Sequence, residues 1–120
     1  MEKVICIDGV EYVPKVKGVF DGNRPIVCVR TYAAGVFVGA LESEDHFVSG
    51  KQVVLSNARR IWRWAGAASL SQLAMEGVKK PNECKFPMPV IEVTLNNVVE
   101  TIPVTRVAME SIESVPVWEE

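Results

Sequence analysis

The sequence has a single histidine, His46, and that scarcity excludes much of enzyme chemistry at the outset. Any nucleophile–imidazole pair would have to be built on this one residue. His46 lies in Ser43 to Gly50, a polar stretch that reads as a solvated turn between strands. Cysteine is also scarce: Cys6, Cys28 and Cys84 are odd in number and far apart. That spacing argues against a disulfide frame and against a zinc site, which needs closely paired ligands. Cys28 falls on an expected strand and reads as a small core hydrophobe, while Cys84, between Glu83 and Lys85, is left open as a reactive thiol. No Gly-x-Ser-x-Gly elbow, Walker phosphate loop or dinucleotide fingerprint occurs. No apolar run approaches the roughly 20 residues of a membrane span. Met1-Glu-Lys-Val-Ile-Cys-Ile-Asp8 carries its charges too early for a signal peptide. The net charge of -2 and pI near 5.5 count against a protein that coats nucleic acid through bulk charge. These absences lead us to expect a cytosolic protein that is not an enzyme, with no metal and no cofactor.

What is present fits one folded domain over residues 1–120. Hydrophobic residues make up 48% and charged residues 23%, enough apolar material for a core at this length. The densest information lies between Asn57 and Gly77. Arg59 to Trp64 alternates as a strand, with Arg60, Trp62 and Trp64 on one face and Arg59, Ile61 and Arg63 on the other. Ala65-Gly-Ala-Ala68 breaks that period. Ser69 is a good helix N-cap, Gln72 completes a capping box, and Gly77 fits the stop.

Around this stretch the chain reads as short strands. Lys3–Ile7 and Val10–Val13 flank Asp8-Gly9, a type I′ hairpin signal. Pro14 to Pro25 is a connection with a turn at Asp21-Gly22-Asn23, so residues 1–25 form an N-terminal hairpin and connection ahead of a core over 26–118. Ile26–Thr31 and Val36–Glu42 are strands, with Gly39 permitting close approach of another backbone. Gln52–Ser56 begins the strand that bends at Asn57-Ala58 into Arg59. Val78 to Pro89 is a loop. Val90–Leu95 and Val98–Ile102 read as a tight hairpin around Asn96-Asn97. Thr105 caps a second helix to about Glu113, with Ala108 and Ile112 in register. Val115-Pro-Val-Trp118 is a tail docked by its tryptophan. The class is α+β: a small, mostly antiparallel sheet or half-barrel with two short helices.

For binding, the candidates are guanidinium groups, which grip phosphates, and aromatic faces, which stack on bases. Arg30, Arg59, Arg60, Arg63, Trp62, Trp64, Phe37 and Phe86 form the candidate set, and the amide of Asn57 or Asn96 could read a base edge. The plain alternative is that the tryptophans are core and the arginines solvated or ion-paired. Three arginines alternating with two tryptophans put a cation on each face of one strand. A buried face excludes unpaired charge, so some of these cations need a partner. The Ser69 helix start offers free amides as a further anion site, or is simply an ordinary cap.

The blocks Arg30-Thr-Tyr-Ala-Ala-Gly-Val-Phe-Val-Gly-Ala-Leu41, Val54 to Trp64, Gly66 to Gly77, Cys84-Lys-Phe86 and Val115-Pro-Val-Trp118 resemble a small domain encoded by bacteriophages and prophages, one without an assigned function. In size and in its arginine, aromatic and asparagine inventory the chain also resembles the Thoeris anti-defence sponges. Those phage proteins bind cyclic ADP-ribose-type immune signals without cleaving them. The resemblance implies sequestration, in the cytoplasm of an infected bacterial host, of a small-molecule nucleotide partner, a cyclic ADP-ribose-type signal or a cyclic oligonucleotide. A small chain that must bind tightly is expected to form homo-oligomers carrying intersubunit sites. It implies no membrane, and makes nucleic acid an unlikely partner. Arg30 and Arg59 would take phosphates, Phe86 would stack on the adenine, and Asn96 would bond a base or ribose, with Arg106 as a further phosphate ligand. The rival expectations are a regulator that binds single-stranded nucleic acid, and a structural module anchored by Trp62, Trp64 and Trp118. An enzyme that degrades the signal is a fourth.

Overall fold

Antiparallel pairing of sequence neighbours organises the chain. The computed structural model describes residues 5–7, 10–12 and 18–119. Strands β1 (Ile5–Ile7) and β2 (Val10–Tyr12) pair antiparallel with Ile7 opposite Val10, as a hairpin requires. The Asp8-Gly9 turn itself and the stretch 13–17 lie outside the described residues. The short β3 (Phe20–Asp21) turns at Gly22-Asn23 into β4 (Arg24–Thr31), as the turn signal anticipates. Next come β5 (Val36–Phe47), β6 (Gly50–Arg60) and β7 (Val90–Leu95), each antiparallel to the one before.

β8 (Val98–Pro103) departs from the expected hairpin. It pairs with β4, at the far end of the sheet from β7. Asn97, at φ 54, makes the turn, but the chain then crosses to β4. There Tyr32 N–H bonds Asn97 O at 3.0 Å and Lys51 Nζ bonds Thr101 Oγ1 at 3.3 Å. An asparagine turn permits a reversal; the choice of pairing partner is made by the edge that β4 leaves open. The outcome is a curled, mostly antiparallel sheet with two helices, the α+β class expected.

Two apolar clusters follow from the period-two alternation of the strands. One face gathers Val27, Val29, Phe37, Val53, Leu55, Ala58 and Leu95. The other, with Cys28, Val38 and Ile61, is covered by α1 (Leu70–Glu76) and α2 (Arg106–Glu113). Both helices are capped as the sequence indicates. Ser69 Oγ accepts from Gln72 N at 3.1 Å, and Thr105 Oγ1 accepts from Ala108 N at 3.1 Å. Gly77, at φ 81, closes α1 with its N–H on Leu73 O. Gly39 meets its expected role: a Cβ there would lie 3.0 Å from Ala58 Cα.

Two further boundaries differ from the sequence reading. β5 and β6 continue as a long arm through Ser43–Gln52 rather than a polar turn over Ser43–Gly50; apart from Phe47 and Val48 its residues are polar, which hides the alternation. β6 ends at Arg60, and Asn57 at φ 48 marks the bend. Trp62 and Trp64 therefore follow the strand instead of belonging to it. The tail is held through its main chain, Trp118 N–H bonding Phe86 O at 3.0 Å, while the indole is 37% exposed with Lys85 Nζ 5.2 Å from its ring centroid. Among the described residues, no helix is long and apolar enough to cross a membrane.

Candidate functional site

The guanidinium and aromatic residues separate into two environments. Arg59 points inward and is 9% exposed. Its Nε donates to Pro87 O (3.3 Å), Nη1 to Ile112 O (3.0 Å), and Nη2 to Phe86 O (3.2 Å) and Val115 O (2.8 Å). Its Cζ stands 5.3 Å from the Phe86 ring centroid, and Phe86 is 0% exposed. Burial pushes the Arg59 pKa down, yet the four carbonyls answer the charge with oriented dipoles. Two of them belong to the end of α2 and the residues just after it, where a cation is favoured. Arg59 is therefore a clamp on the C-terminal segment that also lines a depression of about 460 Å³ with Asn57 and Glu113, and Phe86 is a core ring that offers no open face to a base.

The remaining candidates scatter. Arg30 Nη2 faces Glu100 Oε2 at 3.5 Å on neighbouring strands, so it has a carboxylate partner. Asn96 is exposed and its Oδ1 accepts from Gln52 Nε2 at 2.7 Å. Arg106 is exposed at the first turn of α2. Nothing brings these three to Arg59.

Arg60 and Trp62 do converge, with Trp64, at one end of the sheet. They line a depression of about 420 Å³ with the turn Ala33-Ala34-Gly35, over Val36 and Ile61. This turn is preset. Thr31, buried, accepts from Ala34 N–H on Oγ1 at 2.8 Å and donates the hydroxyl to Gly35 O at 3.0 Å. Gly35 sits at φ 87, a conformation glycine adopts without strain. Ile61 N–H bonds Val36 O at 2.8 Å and sets the height of Trp62. Arg60 Nη1 donates to Ala34 O at 2.6 Å, and its Cζ lies 4.3 Å from the Phe37 ring centroid. Phe37 itself is buried; it supports the guanidinium from below and does not reach a ligand. Arg60 thus spends one N–H of five on the protein and forms no ion pair among the described residues. No carboxylate lines the depression. Trp62 is 64% exposed and Tyr32, on the same turn, 84%. This turn links the strands expected over Ile26–Thr31 and Val36–Glu42; the signal available for it was a threonine followed by small residues and glycine.

The reduced-thiol and histidine readings are also placed. His46 is on the exposed arm, its Nε2 3.3 Å from Glu44 Oε1. Cys84 is buried, accepts from Ala65 N–H at 3.3 Å and directs its thiol to Lys80 O at 3.4 Å, so its part is structural. Cys28 is buried, and burial, reinforced by the Glu100 carboxylate, pushes its thiol up to about 12. The thiolate is the reactive form, so native protein at pH 8 should leave Cys28 unlabelled by iodoacetamide until it unfolds. Peptide mapping of labelled native and denatured samples checks this.

No curated protein and no solved structure matches the chain. A family described as Domain of unknown function (DUF6948) matches residues 24–112, a span from the first residue of β4 to the last turn of α2. The chain belongs to that DUF6948 family.

Proposed function

We propose that this protein is a non-enzymatic binding module for a phosphorylated nucleotide, seated at the Arg60–Trp62 depression. The observation that carries the reading is Arg60 itself. It is held over Phe37, pinned to Ala34 O, without a carboxylate, beside an exposed indole. A fixed guanidinium with spare donors suits a phosphate, and an adjacent open ring suits a base. The sequence resemblance extends this to a phage anti-defence sponge that sequesters a cyclic ADP-ribose-type signal in the host cytoplasm.

Isothermal titration of cyclic ADP-ribose isomers, ADP and cyclic dinucleotides tests the reading. At least one should bind. Arg60→Ala should weaken it by about 10- to 100-fold, the worth of one charge-assisted hydrogen bond. Absence of heat with all of them, or an Arg60→Ala variant that binds as well as the parent, ends the proposal.

A second reading has one observation in its favour. Tyr32 and Trp62 stand open at the same end of the sheet, as stacking platforms for a single strand do. An oligonucleotide that binds in a salt-dependent way, and that free nucleotides fail to displace, would select it.

A further inference from the structure

The two lateral ends of the sheet are built differently. β8, at one end, carries the devices that keep an edge from pairing further. Its ladder with β4 shifts register at Arg30/Thr31, Glu100 is tied to Arg30, Lys51 crosses to Thr101, and Pro103 ends it. β7, at the other end, has none of these. Val90-Ile-Glu-Val-Thr-Leu95 pairs with β6 without a register shift, contains neither proline nor lysine, and carries one charge, Glu92. Its other side pairs with nothing among the described residues. Val90 and Ile91 are exposed, Ile91 at 88%. A regular, β-branched, nearly uncharged edge of this kind is a template for another strand.

We infer that β7 is a dimerisation edge, to which a second copy of this chain adds its own β7 antiparallel about a twofold axis. The strand suits its own image. An axis through Val93 sets Val93 against its counterpart, Ile91 against Leu95, and Glu92 against Thr94. Val93 then meets its own image, Ile91 extends the apolar row beside the buried Leu95, Val90 falls opposite Asn96, and the single carboxylate meets a hydroxyl rather than its twin. An isologous ladder also satisfies the outward main-chain donors and acceptors of both copies at once. The inference does not depend on what occupies the Arg60–Trp62 depression.

Analytical ultracentrifugation of the full chain at micromolar concentrations reads the outcome. The expected result is a mass of two chains, with the dimer dissociation constant of Ile91→Lys raised by about tenfold or more, because the axis applies the change twice. Ile91 is almost fully solvated in one chain, so circular dichroism should show that the variant folds as the parent does. Amide exchange supplies the second readout: β7 should exchange more slowly as concentration rises, and lose that dependence in Ile91→Lys. A parent that stays monomeric throughout overturns the inference. So does a dimer that Ile91→Lys leaves unmoved and whose β7 exchange ignores concentration.

Discussion

Arg59→Ala should lower the unfolding free energy by about 3–5 kcal/mol, with a fall in melting temperature of more than roughly 10 °C. The side chain donates to Phe86 O, Pro87 O, Ile112 O and Val115 O. Alanine leaves Pro87 O and Val115 O without a donor among the described residues, while Phe86 O keeps Trp118 N–H and Ile112 O keeps Val115 N–H. Charge-assisted bonds contribute about 1.5–3 kcal/mol each in isolation, but four sharing one guanidinium do not add. The loss is also directional. Ile112 and Val115 lead into the tail that ends on Trp118, so that indole should gain solvent exposure before the sheet melts. Trp118 exchange and thermal denaturation together check it. Arg59→Lys should recover only a fraction, because one ammonium cannot span four carbonyls arranged around a planar fork. If Arg59 were a ligand residue, the alanine variant would keep its melting temperature and lose binding alone.

Phe86→Ala should cost about 3–5 kcal/mol as well, by the cavity it leaves. The ring is 0% exposed within the cluster that includes Leu73, Ile112 and Val115, and it lies under the Arg59 guanidinium. Trp62→Ala is the matched comparison. Its indole is 64% exposed, so its loss should change stability by less than about 0.5 kcal/mol while weakening any stacked ligand. Urea denaturation of the two variants separates them. Because Arg59 and Phe86 touch, the double variant should lose less than the two single losses added.

Those two aromatics show where a linear reading stops. Trp62 precedes Arg63 and Phe86 follows Lys85, and both are candidates for stacking, yet one is core and one is surface. Phe86 belongs to a loop with no period, and nothing local states that Val117 lies alongside it in a parallel bridge. Arg59 and Arg60 are adjacent, and alternation does predict opposite faces. It does not predict which face is covered. That depends on α2 and the tail, whose carbonyls reach Arg59 from more than fifty positions away.

The sequence alone determined the features that short-range chemistry controls. Ser69, Thr105 and Gly77 set the helix limits, Gly39 marked a close approach, and strand alternation sorted Arg60 from Arg59. Tertiary structure alone decided three matters: that β8 leaves its neighbour for β4, that Arg59 and Phe86 are interior, and that Arg60 meets Trp62 at a preset turn. The physical reason is the same in each. Caps and turns are satisfied within a few residues, whereas the burial of a charge or ring, and the choice of a strand's partner, are settled by distant surface that arrives only on folding.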